Sequence, residues 1–170
     1  MNKLFQILCR FWFTHIVRYV DSVNSGYGHE ATTAAWTTGQ DFTSLLDDEW
    51  TDLSDEIDNS TLKYLSADFE FALASVFTVT PASLELYIIP TLDGTNYPDW
   101  AGLVTGAQEE NDQYFAGSVT LKIANQAHRA VLEDVTMPQG KFKIGVHSNA
   151  GVTLVSTSTV KFRRHGYSSQ

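Results

Sequence analysis

Three groups of side chains in this 170-residue chain are of types that bind or react. The first is acidic: Asp41, Asp47, Asp48, Glu49, Asp52, Asp55, Glu56 and Asp58 stand between Gln40 and Ser60 without a Lys or Arg. Such a run could gather a divalent cation through its oxygens. A helix–loop–helix calcium site, however, needs a glycine at its turn, and no Gly lies between Gln40 and Thr80. A solvated or partner-facing loop is expected there, and no metal. The second group is the histidines at 15, 29, 128, 147 and 165. None has another His or Cys at the short spacing that zinc ligands use. The third is the loop Asp93 to Gly102, where Tyr97 and Trp100 sit beside Asp93, Asn96 and Asp99. Flat aromatic faces flanked by hydrogen-bonding groups hold sugar rings. Tyr97, Asp99 and Trp100 are therefore the candidate contact for a ligand or partner, with a glycan as the ligand. The alternative is a structured turn in which Asp93-Gly94 sets the backbone and the two rings cap the core. There is no G-x-S-x-G elbow, phosphate-binding glycine loop or H-E-x-x-H motif. No catalytic residue and no cofactor are expected, and the chain reads as one that packs and binds.

The bulk composition fits that reading. A net charge of −9 argues against nucleic acid, whose phosphates are bound by clustered Lys and Arg. The charge is segregated, because Val135 to Gln170 carries five bases and no acid, opposite in sign to the acidic run. Either copies attract head to tail, or two solvated faces happen to differ. Cys9 is the only cysteine, so no internal disulfide and no cysteine-based zinc site is available.

Elements that could position these residues begin after a distinct N-terminal stretch. Met1 to Val20 is aromatic and aliphatic with Lys3, Arg10 and Arg18 and no acid. Arg10 interrupts the apolar run that a signal peptide needs, and the three basic side chains with His15 speak against a membrane span. On a helix, Leu4, Leu8, Phe11 and Trp12 share an apolar face, which makes them a candidate docking arm for a neighbouring protein. A lipid interface is the rival, and contact with a membrane is not expected. Residues 1–29 are read as arm and linker, and 30–170 as one domain.

That domain is read as all-β. From Leu62 onward, short alternating runs are separated by turn residues, the pattern of a sandwich or barrel. Leu65, Ala67, Phe69, Phe71 and Leu73 share one side of the first run. Ser83 to Ile89 alternates up to Pro90; Tyr114 to Ile123 follows through Phe115, Val119, Leu121 and Ile123, and Arg129 to Thr136 with Val131 and Val135 on one face and Leu132 on the other. Lys141 to His147 sets Phe142, Ile144 and Val146 against Lys141, Lys143 and His147. Val152 to Val155 and Ser158 to Arg164 are expected as a last pair of strands, and Trp36 to Leu53 as one or two more, with a helical turn near Asp47 as an alternative. About eight strands result, which predicts an antiparallel jelly-roll-like β-sandwich.

The runs LELYIIPTLDGTNYPDW, NDQYFAGSVTL and RAVLEDVTMPQGKFKIGV, with the terminal GYSSQ, resemble a group of small jelly-roll structural proteins of tailed bacteriophage virions. The likeness covers Ala34 to Gln170 and is most specific at Leu84 to Tyr97 and Pro138 to Ile144. It implies a non-enzymatic virion component in many copies, most directly a head decoration or cement protein, with a tail or fibre component as the alternative. The implied partners are the major capsid protein or other virion proteins and further copies of the chain.

Overall fold

The computed structural model describes residues 31–74, 77, 82–100, 109–122 and 127–167. The described residues form nine strands: β1 Thr32–Thr33, β2 Glu49–Trp50, β3 Ile57–Asp58, β4 Tyr64–Leu73, β5 Ala82–Pro90, β6 Phe115–Leu121, β7 His128–Thr136, β8 Lys141–Asn149 and β9 Thr159–Tyr167. One 3-10 helix, Glu109–Tyr114, precedes β6. Within the described residues the fold is all-β, as the alternation predicts. The arm with Leu4, Leu8, Phe11 and Trp12, residues 75, 76 and 78–81, and Ile123 lie outside the described residues.

The antiparallel pairs nest outward from the connection between β5 and β6. β5 pairs with β6, β4 with β7, β2 and β3 with β8, and β1 with β9. Two further pairings, β4 with β9 and β5 with β8, fuse the nested pairs into sheets of order β1-β9-β4-β7 and β2-β8-β5-β6, with β3 beside β8. A long hairpin rolled into two facing sheets in this way is a jelly-roll sandwich. Phe69, Phe71, Val160 and Phe162 of the first sheet meet Leu84, Leu86, Phe142, Ile144 and Val146 of the second in one buried cluster. Residues 31–170 form one compact unit.

β2 and β3 are one strand position interrupted by six residues, of which Thr51 and Ser54 reach β8 by both backbone N–H and side-chain hydroxyl. Thr51 Oγ1 accepts the Val146 N–H at 2.9 Å and Ser54 Oγ accepts the Ile144 N–H at 3.0 Å. Asn59, also buried, donates to the carbonyls of Tyr64 and Pro138 and accepts the Tyr64 N–H, which staples the start of β4 to the β7–β8 turn. A buried amide is stable only with such partners, since leaving one group unmade costs about 1–3 kcal/mol.

Several local expectations are corrected. Leu65 is 45% exposed and Tyr64 is buried in its place. Phe115 is 50% exposed and Tyr114 belongs to the 3-10 helix, because the β5–β6 register shifts between Leu86 and Tyr87 and so inserts one extra residue in β6. A second shift puts an extra residue in β7 at Asp134, with φ 53, so Val131 points to solvent while Val135 is buried. Each bulge inverts the alternation on one side of it. Val152 to Val155 is not a strand. Its Leu154 donates its N–H to the Leu45 carbonyl and plugs the core. Around Asp47 there is a turn, with Asp48 at φ 57, and no helix.

Replacing Ile144 by Ala should destabilise the domain by about 2–5 kcal/mol. Leu65→Ala, on the same pattern of the sequence but at an exposed position, should stay within about 0.5 kcal/mol. Urea unfolding of both variants checks the inside–outside assignment.

Candidate functional site

The outer face of the second sheet carries a layer of aromatic side chains. In β5 and β8, Glu85 lies opposite His147, Tyr87 opposite Gly145 and Ile89 opposite Lys143, all on the side away from the core. Trp50 of β2 lies opposite His147 and stacks on its ring, with centroids 4.2 Å apart and planes 13° from parallel. Trp50 also meets Tyr87 at 4.9 Å and Trp100 at 5.4 Å. Trp50, Tyr87 and Ile89 are buried, with Leu53, Tyr97, Trp100 and Tyr114 packed against them.

Trp100 reaches this layer from the loop between β5 and β6. Its Nε1 donates to the Thr51 carbonyl at 2.8 Å, and its ring lies over Gly145, where a Cβ would overlap it. The loop itself is built by Asp93. One carboxylate oxygen accepts the N–H groups of Thr95 and Asn96 and the Thr91 hydroxyl, and the other accepts the Asn96 amide. Those donors, the Asn96 N–H foremost, hold the Asp93 carboxyl well below the usual carboxylate range. Gly94 supplies the left-handed turn at φ 78.

Tyr97 is fixed from two sides. Its hydroxyl donates to Glu56 Oε2 at 2.8 Å, and Lys143 Nζ stands 4.9 Å from its ring centroid. Burial, then the Glu56 carboxylate, raises the phenol above its ordinary value. Glu56 Oε1 pairs with Lys141 Nζ at 2.7 Å, and that contact, ahead of the Tyr97 hydroxyl, keeps the Glu56 carboxyl low. The structure thus brings Tyr97 and Trp100 into one layer as capping residues, and Asp99 sits exposed beside them. Both rings are engaged by the protein itself, as the structured-turn alternative describes.

The sequence reading places His147 on the outer face but does not find its surroundings. His147 is 7% exposed, with Nδ1 3.1 Å from Glu85 Oε2 and Nε2 3.3 Å from Asp48 Oδ1. The Tyr87 hydroxyl donates to the same Glu85 oxygen at 2.9 Å. Tyr87 and Ile89 are the signal that was available: two large apolar residues on the nominally polar face of β5 require a cover.

A second polar line lies on the outer face of the first sheet. Ser66 Oγ is 3.0 Å from His165 Nδ1, and His165 Nε2 is 3.0 Å from Asp68 Oδ1. The residue types are those of nucleophilic catalysis. Here they are rungs of the β4–β9 ladder, Ser66 opposite His165 and Asp68 opposite Arg163. Asp68 also accepts from Arg163 and from the Asp134 N–H, so it works as a tie across three strands. Burial acts to raise the Asp68 carboxyl, but the Asp134, His165 and Arg163 donors outweigh it and the net direction is downward. Among the described residues, no group of three or more His, Cys, Asp or Glu side chains is placed to hold a metal ion.

The segregated charges meet within one molecule. Glu56 pairs with Lys141, Asp48 with His147, and Asp47 accepts the Gly151 N–H, because β2 and β3 lie along β8.

No family model matches the chain, and the search of curated proteins gives no match. Among solved structures there is a likeness to Xyl-CBM35 in complex with a glucuronic acid containing disaccharide, at 11% identity and a TM-score of 0.38, covering 84% of this chain and 89% of that one. A likeness of that degree carries no argument about what this chain binds.

Two outcomes test the site. Gly145→Ala should expel Trp100 from the layer, seen as a red shift and rise in quenching of its fluorescence; an unchanged spectrum would contradict the packing. Acid provides the second. A carboxyl whose pKa is lower folded than unfolded adds stability above its unfolded value of about 4, and that stability drains away as pH falls toward the folded value. With Asp93 and Glu56 both shifted down, the near-UV signal of the loop should hold at pH 4 and fade only below it. A midpoint at or above pH 4 would remove the assigned hydrogen bonds.

Proposed function

We propose that this protein is a non-enzymatic structural component of a bacteriophage virion, a head decoration or cement protein that attaches to the capsid surface in many copies. The observation that carries this reading is where the two most specific stretches of the family resemblance fall. Leu84 to Tyr97 and Pro138 to Ile144 come together at one corner of the sandwich, with Pro90 opposite Phe142, Ile89 opposite Lys143, and Tyr97 bound to both Glu56 and Lys143. They are spent on building the fold, as suits a family whose shared property is a rigid particle-forming domain. The polar groups that could have reacted are cross-strand ties in the same way.

Attachment at many symmetric points multiplies a weak contact, so a domain of this size needs no deep site to stay bound. Glycan binding at the Tyr97 loop is the second reading. The exposed Asp93, Asn96 and Asp99 favour it, while the engagement of both rings by Gly145, Thr51, Glu56 and Lys143 counts against it.

Quantitative mass spectrometry of purified particles is expected to find the chain at a stoichiometry fixed to the major capsid protein. A tail component would instead appear at a few copies per particle. Absence from particles, or glycan-array binding abolished by Tyr97→Ala with Trp100→Ala, would overturn the capsid reading.

A further inference from the structure

Among the described residues, the sandwich is open along the side where β6 and β7 face each other. β6 ends the second sheet and β7 ends the first, and both carry bulges there, at the Leu86/Tyr87 register shift and at Asp134. Leu132 closes the gap at one point, packed so tightly on Gly117 that a Cβ there would strike its methyl groups. Beside that wedge the strands part into a groove of about 680 Å³. Ile88, Val135 and Met137 line it together with the half-exposed Phe115. The volume lies in the range of ligand clefts, roughly 300–1,000 Å³. Bulged edges make poor templates for an added strand, so the groove is shaped to take side chains. Its lining includes Glu133 and Asp134 and no Lys, Arg or His.

We infer that this groove binds the basic, apolar segment Met1 to Val20 of a second copy of the chain. The match is chemical: Leu4, Leu8, Phe11 and Trp12 suit the apolar lining, while Lys3, Arg10 and Arg18, with no acid among them, suit the Glu133 and Asp134 rim. A neutral sugar would leave those carboxylates without a counter-charge, and an acidic partner would be repelled. Exchange of such segments ties copies into a closed or growing assembly. The inference does not depend on the virion reading, because any assembly of copies satisfies it.

Cys9 lies inside the segment and is the only cysteine, so the full chain needs one substitution to report the contact. Thr136→Cys places a thiol on the groove. Thr157→Cys is the control, beside Ala127 and Arg129 at the other end of β7. Under mild oxidation, Thr136→Cys is expected to give disulfide-linked dimers in at least tenfold greater yield than the control. Adding Cys9→Ser should bring the yield down to the control. In light scattering at low salt, Glu133→Lys should raise the dissociation constant of self-association at least tenfold. A disulfide formed within a single chain, equal yields at the two positions, or a chain monomeric at every concentration would overturn the inference.

Discussion

The register of β8 against β5 is the constraint on which the rest of the molecule depends. Ile144 opposite Ile88 and Val146 opposite Leu86 drive into the core, and the alternate residues Lys143, Gly145 and His147 form the floor of the outer aromatic layer. A slip of one residue would carry Lys143 and His147 into the apolar interior and push Ile144 and Val146 out. Burying an unpaired charge costs far more than any rearranged contact returns, so one register dominates. β8 also receives β2 and β3, which makes it the strand through which the two short segments of the acidic run are held.

From that register the outer surface follows. Gly145 leaves room for the Trp100 ring, Trp100 covers Trp50 and Tyr87, and the loop that delivers Trp100 is locked by Asp93 and by the Tyr97–Glu56–Lys141 chain. Of the acids between Gln40 and Ser60, Glu56 is thereby paired with Lys141 and Asp48 lies against the His147 ring. The groove between β6 and β7, beside the two bulges, is where the inferred contact with a second copy falls.

Much of this was legible in the sequence because burial on one face writes itself as alternation. Phe69, Phe71 and Leu73, and Phe142, Ile144 and Val146, are inside as their period requires. The bulges were not legible. An extra residue near Ala116 and another at Asp134 reverse inside and outside with no local signal beyond Gly117, so Phe115 and Val131 were misplaced. Of the two-residue strands, β2 falls within the expected Trp36 to Leu53, while β1 and β3 escaped, since Thr51 and Ser54 hold that edge by single backbone N–H groups and hydroxyls and not by a long ladder. At the candidate site, Tyr97 and Trp100 could be found from their loop chemistry. Trp50, Tyr87, Glu85 and His147 could not, because their meeting is set by long-range pairing that composition does not reveal.

Cross-strand nuclear Overhauser contacts in the labelled full chain test the central claim most directly. Nested pairing over a shared core requires backbone contacts that set Ile88 beside Ile144 and Phe71 beside Val160. A one-residue offset in either pair, or β4 found hydrogen-bonded to β5, would contradict the rolled-hairpin account and everything drawn from its two faces.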